Sequence, residues 1–219
     1  METLKPGVPS ASWAKVAVLS GIGAAFCYFS SVVTSVFPLA LSRVLFFAIG
    51  PLSVVSALGV YHAIRSYRDS IALQVGILLL VIAGVLVNVM AVVQASQFTA
   101  IGRQIQEAPT EAAKETLTRV LWGVNTVQAG LDVSWDIFIA LGTAALAIAL
   151  MRHPRFGLVI GWVGVAVSLT GLRFNLSTFP TSPAEAGLVD LGPAVGLWYV
   201  VVLLQLLRSL SWIKTSSSG

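Results

Sequence analysis

Asn125, Gln128, Asp132 and Asp136 follow one another at intervals of three, four and four residues. At about 100° per residue this spacing places them on one face of an α-helix, with Trp135 on the same side. Two carboxylates beside two carboxamides can hold a cation or pass a proton, and paired carboxylates can act as acid and base. The stripe leads into an apolar stretch of chain, where an ionisable group is costly unless it faces a cavity or a partner. One reading is therefore an outward-facing polar vestibule lined by Asp132 and Asp136. The other is structural. Gly130 would break the helix, Asp132 would cap the segment that follows, and Asp136 would sit near the positive end of its dipole. An ion pair from either aspartate to Arg173 would then tie two neighbouring helices together.

Further polar residues bear on the same region. Asn88 is a lone amide deep in an apolar run, suited to bonding a neighbouring helix or joining the stripe. Asn175 opens a connector to Leu191 rich in Pro, Ser and Thr, which would bring Asn175, Glu185 and Asp190 near the vestibule as a lid. Gly157, Gly161, Gly164, Ser168 and Gly171 recur every three or four residues and form a small-residue face. Such a face lets another helix approach closely, within the bundle or between subunits. His62 and His153 each lie beside arginines without a Cys, His or carboxylate at ligand spacing, so neither a metal site nor a cofactor is expected. The single cysteine, Cys27, excludes an intrachain disulfide and reads as a packing residue.

The elements that must position these residues follow from composition. The chain has 219 residues, of which 57% are hydrophobic and 10% charged, and its mean hydropathy is +0.90. A soluble domain carries roughly 25% charged residues. A bilayer core about 30 Å thick needs about 20 apolar residues per helix. Six stretches meet that need and occupy most of the length, leaving no room for a separate soluble domain. The expected fold is all-α, a polytopic membrane bundle of six transmembrane helices in one domain. The spans are placed at 13–37, 42–64, 71–94, 132–151, 156–174 and 193–212. Pro38 should end the first, and Gly50-Pro51 should kink the second without ending it. An extramembrane helix is expected over 109–119, with Thr110 as its cap and Glu111 and Glu115 near its positive end. Gly192-Pro193, just after Asp190, marks the start of the last span.

Orientation is read from Lys and Arg in the short connections. With the N-terminus inside, Lys5, Lys15, Arg65, Arg68, Arg152, Arg155, Arg208 and Lys214 are inner, and Arg43, Arg103, Lys114, Arg119 and Arg173 are outer. Both termini are then cytoplasmic in a plasma (inner) membrane, and most acids lie outside. The net charge of +4 is explained by these span ends. No run of basic residues suggests nucleic acid; the expected partner is the lipid bilayer. A weak internal echo pairs Ala57-Leu-Gly59 before Arg65 and Arg68 with Ala140-Leu-Gly142 before Arg152 and Arg155.

Leu131-Asp-Val-Ser-Trp-Asp136, Arg152-His-Pro-Arg-Phe-Gly157, Thr178-Phe-Pro180 and Gly192-Pro-Ala-Val-Gly-Leu-Trp-Tyr199 resemble segments of uncharacterised bacterial six-span membrane proteins, mainly over residues 125–200. The resemblance implies the architecture and no activity. Three functions stay open: small-solute or ion binding and transport through the vestibule, a non-catalytic subunit or scaffold docking through the glycine face, and an intramembrane enzyme using the paired carboxylates. No phosphate loop or nucleophile motif favours the last, so an enzyme is the least expected of the three.

Overall fold

A computed structural model describes residues 10–32, 39–65 and 67–210. The expected break at Pro38, the end of the first span near Phe37 and the end of the last near Trp212 lie outside the described residues. Within them the chain is helical with no strand. Its helices are α1 (Ser10–Val32), α2 (Leu39–Arg65), α3 (Ile71–Ser96), α4 (Gly102–Gln106), α5 (Glu111–Met151), α6 (Gly157–Thr178) and α7 (Gly192–Arg208). Five helical stretches are long and apolar enough to cross a membrane; α7, with 17 residues, is shorter.

Several element boundaries differ from the sequence expectation, and the two largest differences concern length. The third apolar helix does not stop at Gln94. It continues through a π-helical turn, Gln97–Ile101, into α4. The separate helices expected over 109–119 and 132–151 are one continuous helix of 41 residues, about 61 Å long at 1.5 Å per residue. Gly130 does not break it, because a glycine inside a helix costs only about 1 kcal/mol relative to alanine. Thr110 is the N-cap, its hydroxyl accepting from the Ala113 N–H at 3.2 Å. Short-range ion pairs on exposed side chains flank this start: Arg103–Glu107 at α4, and Glu111–Lys114 and Glu115–Arg119 in the first turns of α5. Pro51 lies within α2, which runs through it. Asn175 belongs to α6, so the connector to α7 begins later than expected. Pro193 stands in the first turn of α7, and Asp190 Oδ1 accepts from the Gly192 N–H at 2.8 Å.

The long helices form a ring in chain order: α1 packs on α2, α2 on α3, α3 on α5, α5 on α6, α6 on α7, and α7 back on α1. Small residues set the crossings. A Cβ on Gly59 would lie 2.7 Å from the Ala17 nitrogen, one on Gly76 2.7 Å from the Leu146 nitrogen, and one on Gly50 2.5 Å from the Gly84 carbonyl. Backbones this close leave no room for a side chain, which is how apolar helices gain contact without a hydrophobic drive between them. Large apolar side chains instead point outward, including Leu19, Ile71 and Val159.

The ring has two unlike halves. Toward one end Val60, Leu73, Leu146, Leu150, Val202, Leu203 and Leu206 are fully buried in a single core. This end carries Lys15, Arg65, Arg68, Arg152, Arg155 and Arg208 against one acid, Asp69, among the described residues. The opposite end carries seven acids, Glu107, Glu111, Glu115, Asp132, Asp136, Glu185 and Asp190, against five cations, Arg43, Arg103, Lys114, Arg119 and Arg173. We call them the basic and acidic ends.

Candidate functional site

In the acidic half the core opens into a cavity of about 130 Å³. Five helices line it: α1 through Gly21 to Phe29, α2 through Ile49, Ser53 and Ala57, α3 through Leu80 to Val87, α5 through Trp135, Ile139 and Thr143, and α7 through Gly192 to Tyr199. The wall is apolar apart from a few hydroxyls. At its base the Ser56 hydroxyl donates to the Ala17 carbonyl at 2.9 Å and lies 3.0 Å from the Tyr199 hydroxyl. With the Ser56 proton committed, Tyr199 is the donor of that second bond. Ser53 donates back to Ile49 in its own helix at 2.7 Å. These bonds use the hydroxyl protons internally, so the base of the cavity presents mostly carbon.

The rim differs from the base. Tyr28, Trp135 and Gly192 reach it from three helices. The Tyr28 hydroxyl would lie 3.9 Å from a Cβ on Gly192, and Asp190 Oδ1 3.2 Å from it. Asp132 and Asp136 stand on α5 within one turn of Trp135, and Asp190 precedes Gly192 by two residues. Three carboxyl groups from α5 and the α6–α7 connector thus stand near the mouth. Among the described residues no three His, Cys, Asp or Glu side chains converge closely enough to hold a metal ion.

The stripe on α5 is physically continuous, but its members have different surroundings. Asn125 and Asp132 are exposed and Asp136 is half-buried. Gln128 is buried, and neither atom of its carboxamide has a hydrogen-bond partner among the described residues. Gln97, in the π-helical turn, is buried, and its Nε2 likewise has no partner among the described residues. Asp132 lies in the body of α5 and caps nothing. Arg173 is exposed near the end of α6 and makes no ion pair with Asp132 or Asp136 among the described residues.

Other residues singled out by sequence fall elsewhere. Asn88 packs at the α2–α3 crossing, its Cβ 2.7 Å from where a Cβ on Gly50 would stand, and it is not part of the cavity wall. Asn175 lies in α6, its carbonyl accepting from the Phe179 N–H at 3.1 Å. Glu185 is tied to its own turn, accepting from the Ser182 N–H at 3.2 Å. Of the connector, Asp190 is the carboxylate that reaches the rim.

The small-residue face of α6 is filled from within the chain. Gly161 meets Met151 and Ala147 of α5, Gly164 meets Trp198 of α7 and Ala147, and Gly171 meets Leu191. Ser168 is fully buried and bonds back to the Gly164 carbonyl at 2.7 Å. The Trp198 indole donates to the Ile160 carbonyl at 2.8 Å. Gly157 stands apart from this face; its φ of +75° lets the chain turn into α6.

Tyr28, Ser56, Thr143 and Tyr199 were not among the candidates read from sequence. Their signal was faint: single hydroxyls inside apolar helices, whose meaning depends on which neighbours they face. Compared with protein-family models, curated proteins and solved structures, the chain finds no match.

Proposed function

We propose that this is a six-span membrane protein that binds a small amphipathic cation, with the cavity holding the apolar body and the carboxylates at the rim holding the charge. The helix α7 serves as the sixth span; its 17 residues reach the lower limit of about 17 for crossing. The excess of arginine and lysine at the basic end supports placing that end, and both termini, in the cytoplasm. The cavity then opens outward. This layout agrees with the resemblance to uncharacterised bacterial six-span proteins.

A single observation carries the reading: an apolar cavity of about 130 Å³ lined by Tyr28, Phe29 and Trp135, with Asp132 and Asp136 within one turn of Trp135 on α5 and Asp190 bonded to the lining Gly192. Apolar cavities of about 150 Å³ accept benzene, so the volume suits one aromatic ring or a short branched chain. A cation at the mouth gains both from the carboxylates and from the faces of Tyr28, Phe29 and Trp135. The packed core below closes the path to the basic end, so the described conformation binds from one side. The contacts of Gly161, Gly164 and Gly171 with α5, α7 and Leu191 within the chain favour this reading over a scaffold docking through the α6 face.

The test uses benzyltrimethylammonium and its uncharged carbon isostere, neopentylbenzene, with purified protein in lipid nanodiscs. The ammonium compound should bind, and the double variant Asp132→Asn, Asp136→Asn should weaken it about tenfold while leaving the isostere unchanged. Gly196 lines the cavity, and a Cβ there meets nothing within 4 Å. Gly196→Leu should therefore fill the space and abolish binding of both compounds without unfolding the protein. Equal binding of the cation by wild type and both variants would refute the assignment.

A further inference from the structure

The basic end holds a second arrangement, distant from the cavity. Two short turns adjoin there. One joins α2 to α3 and bears Arg65 and Arg68; the other joins α5 to α6 and bears Arg152 and Arg155. The Tyr67 ring lies 4.7 Å from the His153 ring, which fixes the two turns side by side. The second turn is held from beneath. His153 is buried, its Nδ1 accepts from the Arg155 N–H at 3.2 Å, and the Gln205 side chain of α7 donates to the Arg155 carbonyl at 2.6 Å. Arg65 is engaged with its own helix, its guanidinium 5.2 Å from the Tyr61 ring centre. Arg68, Arg152 and Arg155 are exposed, with Asp69 the one acid in these turns.

We infer that Arg68, Arg152 and Arg155 form a site for the phosphate of an anionic lipid headgroup. The inference rests on the membrane placement proposed above and is independent of the cavity. Dispersed lysines would orient a membrane protein equally well. Here every cation in the two turns is arginine, whose planar fork matches phosphate oxygens in a way a lysine ammonium does not. The second turn is anchored by the buried His153 and Phe156 rings, and Tyr67 holds the first turn against it, so little ordering is needed on binding. The source of the phosphate is indicated by what lies beside it. Ile71 follows one turn, and Leu158 and Val159 follow the other; all three are large, apolar and largely exposed. They stand on the first turns of α3 and α6, next in the chain to the arginines, where the acyl chains of the same lipid would lie. A free phosphate ion would use only the arginines.

The full chain is reconstituted in mixed phosphatidylcholine and phosphatidylglycerol vesicles, and retained lipid is identified by native mass spectrometry. Phosphatidylglycerol should be enriched over its share of the membrane. The triple variant Arg68→Lys, Arg152→Lys, Arg155→Lys keeps the charge that sets orientation and should lose about threefold of that enrichment. The triple glutamine variant should lose it entirely, and Arg103→Gln with Arg119→Gln at the other end should change nothing. Added inorganic phosphate should not displace the lipid; displacement would mark a soluble-anion site and overturn the lipid assignment. Full enrichment in the lysine variant, or none in wild type, would overturn the site itself. Wild-type protein that fails to float with vesicles would instead refute the membrane placement.

Discussion

His153 is the titratable residue whose setting is most clearly defined outside the apolar helices. Its ring is buried between Tyr67 and Phe156. Burial, reinforced by the Arg155 charge, pushes its pKa down from 6.5 to about 4. The unfolded chain takes up a proton near pH 6.5, whereas the folded chain resists until about pH 4. The contribution of a neutral His153 is therefore complete above pH 6.5 and is lost as pH falls from there toward 4. Thermal midpoints in detergent should drop over this window in wild type, and the drop should be smaller in His153→Gln; identical pH profiles would contradict the burial argument. At this scale the aspartate stripe was legible because it depends only on helical period. Tyr28 and Tyr199 were not, because a hydroxyl in an apolar helix acquires meaning only from what neighbouring helices place opposite it.

Helices show the same division. Apolar length located the five long helical stretches and the shorter α7, and the Thr110 cap was readable from its side-chain chemistry. The fusion of the 109–119 and 132–151 segments was not readable, since Gly130 is a helix breaker by propensity alone. In α5 the cost of one glycine is small against a helix that packs along α3 and α6, and a Cβ at Gly130 would meet nothing within 4 Å. The α6 face carries the opposite message. A Cβ on Gly164 would lie 2.5 Å from the Trp198 ring and 2.8 Å from the Ala147 Cβ. Gly164→Leu should therefore destabilise the fold by at least about 1–3 kcal/mol through overpacking. Unfolding in mixed micelles measures this. A variant of unchanged stability but altered oligomeric state would show that the face serves contacts between subunits instead.

Over the described residues the whole molecule is a ring of helices with small residues at its crossings, a leucine-rich core toward the basic end, and many further large apolar side chains exposed on its outside. The two ends divide the work. The basic end is densely packed and fixes the arginine-bearing turns, while the acidic end encloses a cavity under three carboxylates. Charge bias alone predicted two unlike ends. The cavity was invisible to sequence because it arises where five helices fail to fill their shared centre, a property of their spacing and of no single stretch of chain. Intermolecular nuclear Overhauser effects test the central claim most directly, using benzyltrimethylammonium bound to protein in nanodiscs with deuterated lipid. Aryl protons should show contacts to the Thr143 methyl group and the Tyr199 ring, and the N-methyl protons to Tyr28 and Trp135. Bound ligand without contacts to Thr143 and Tyr199, or with its ammonium group deepest, would contradict the account.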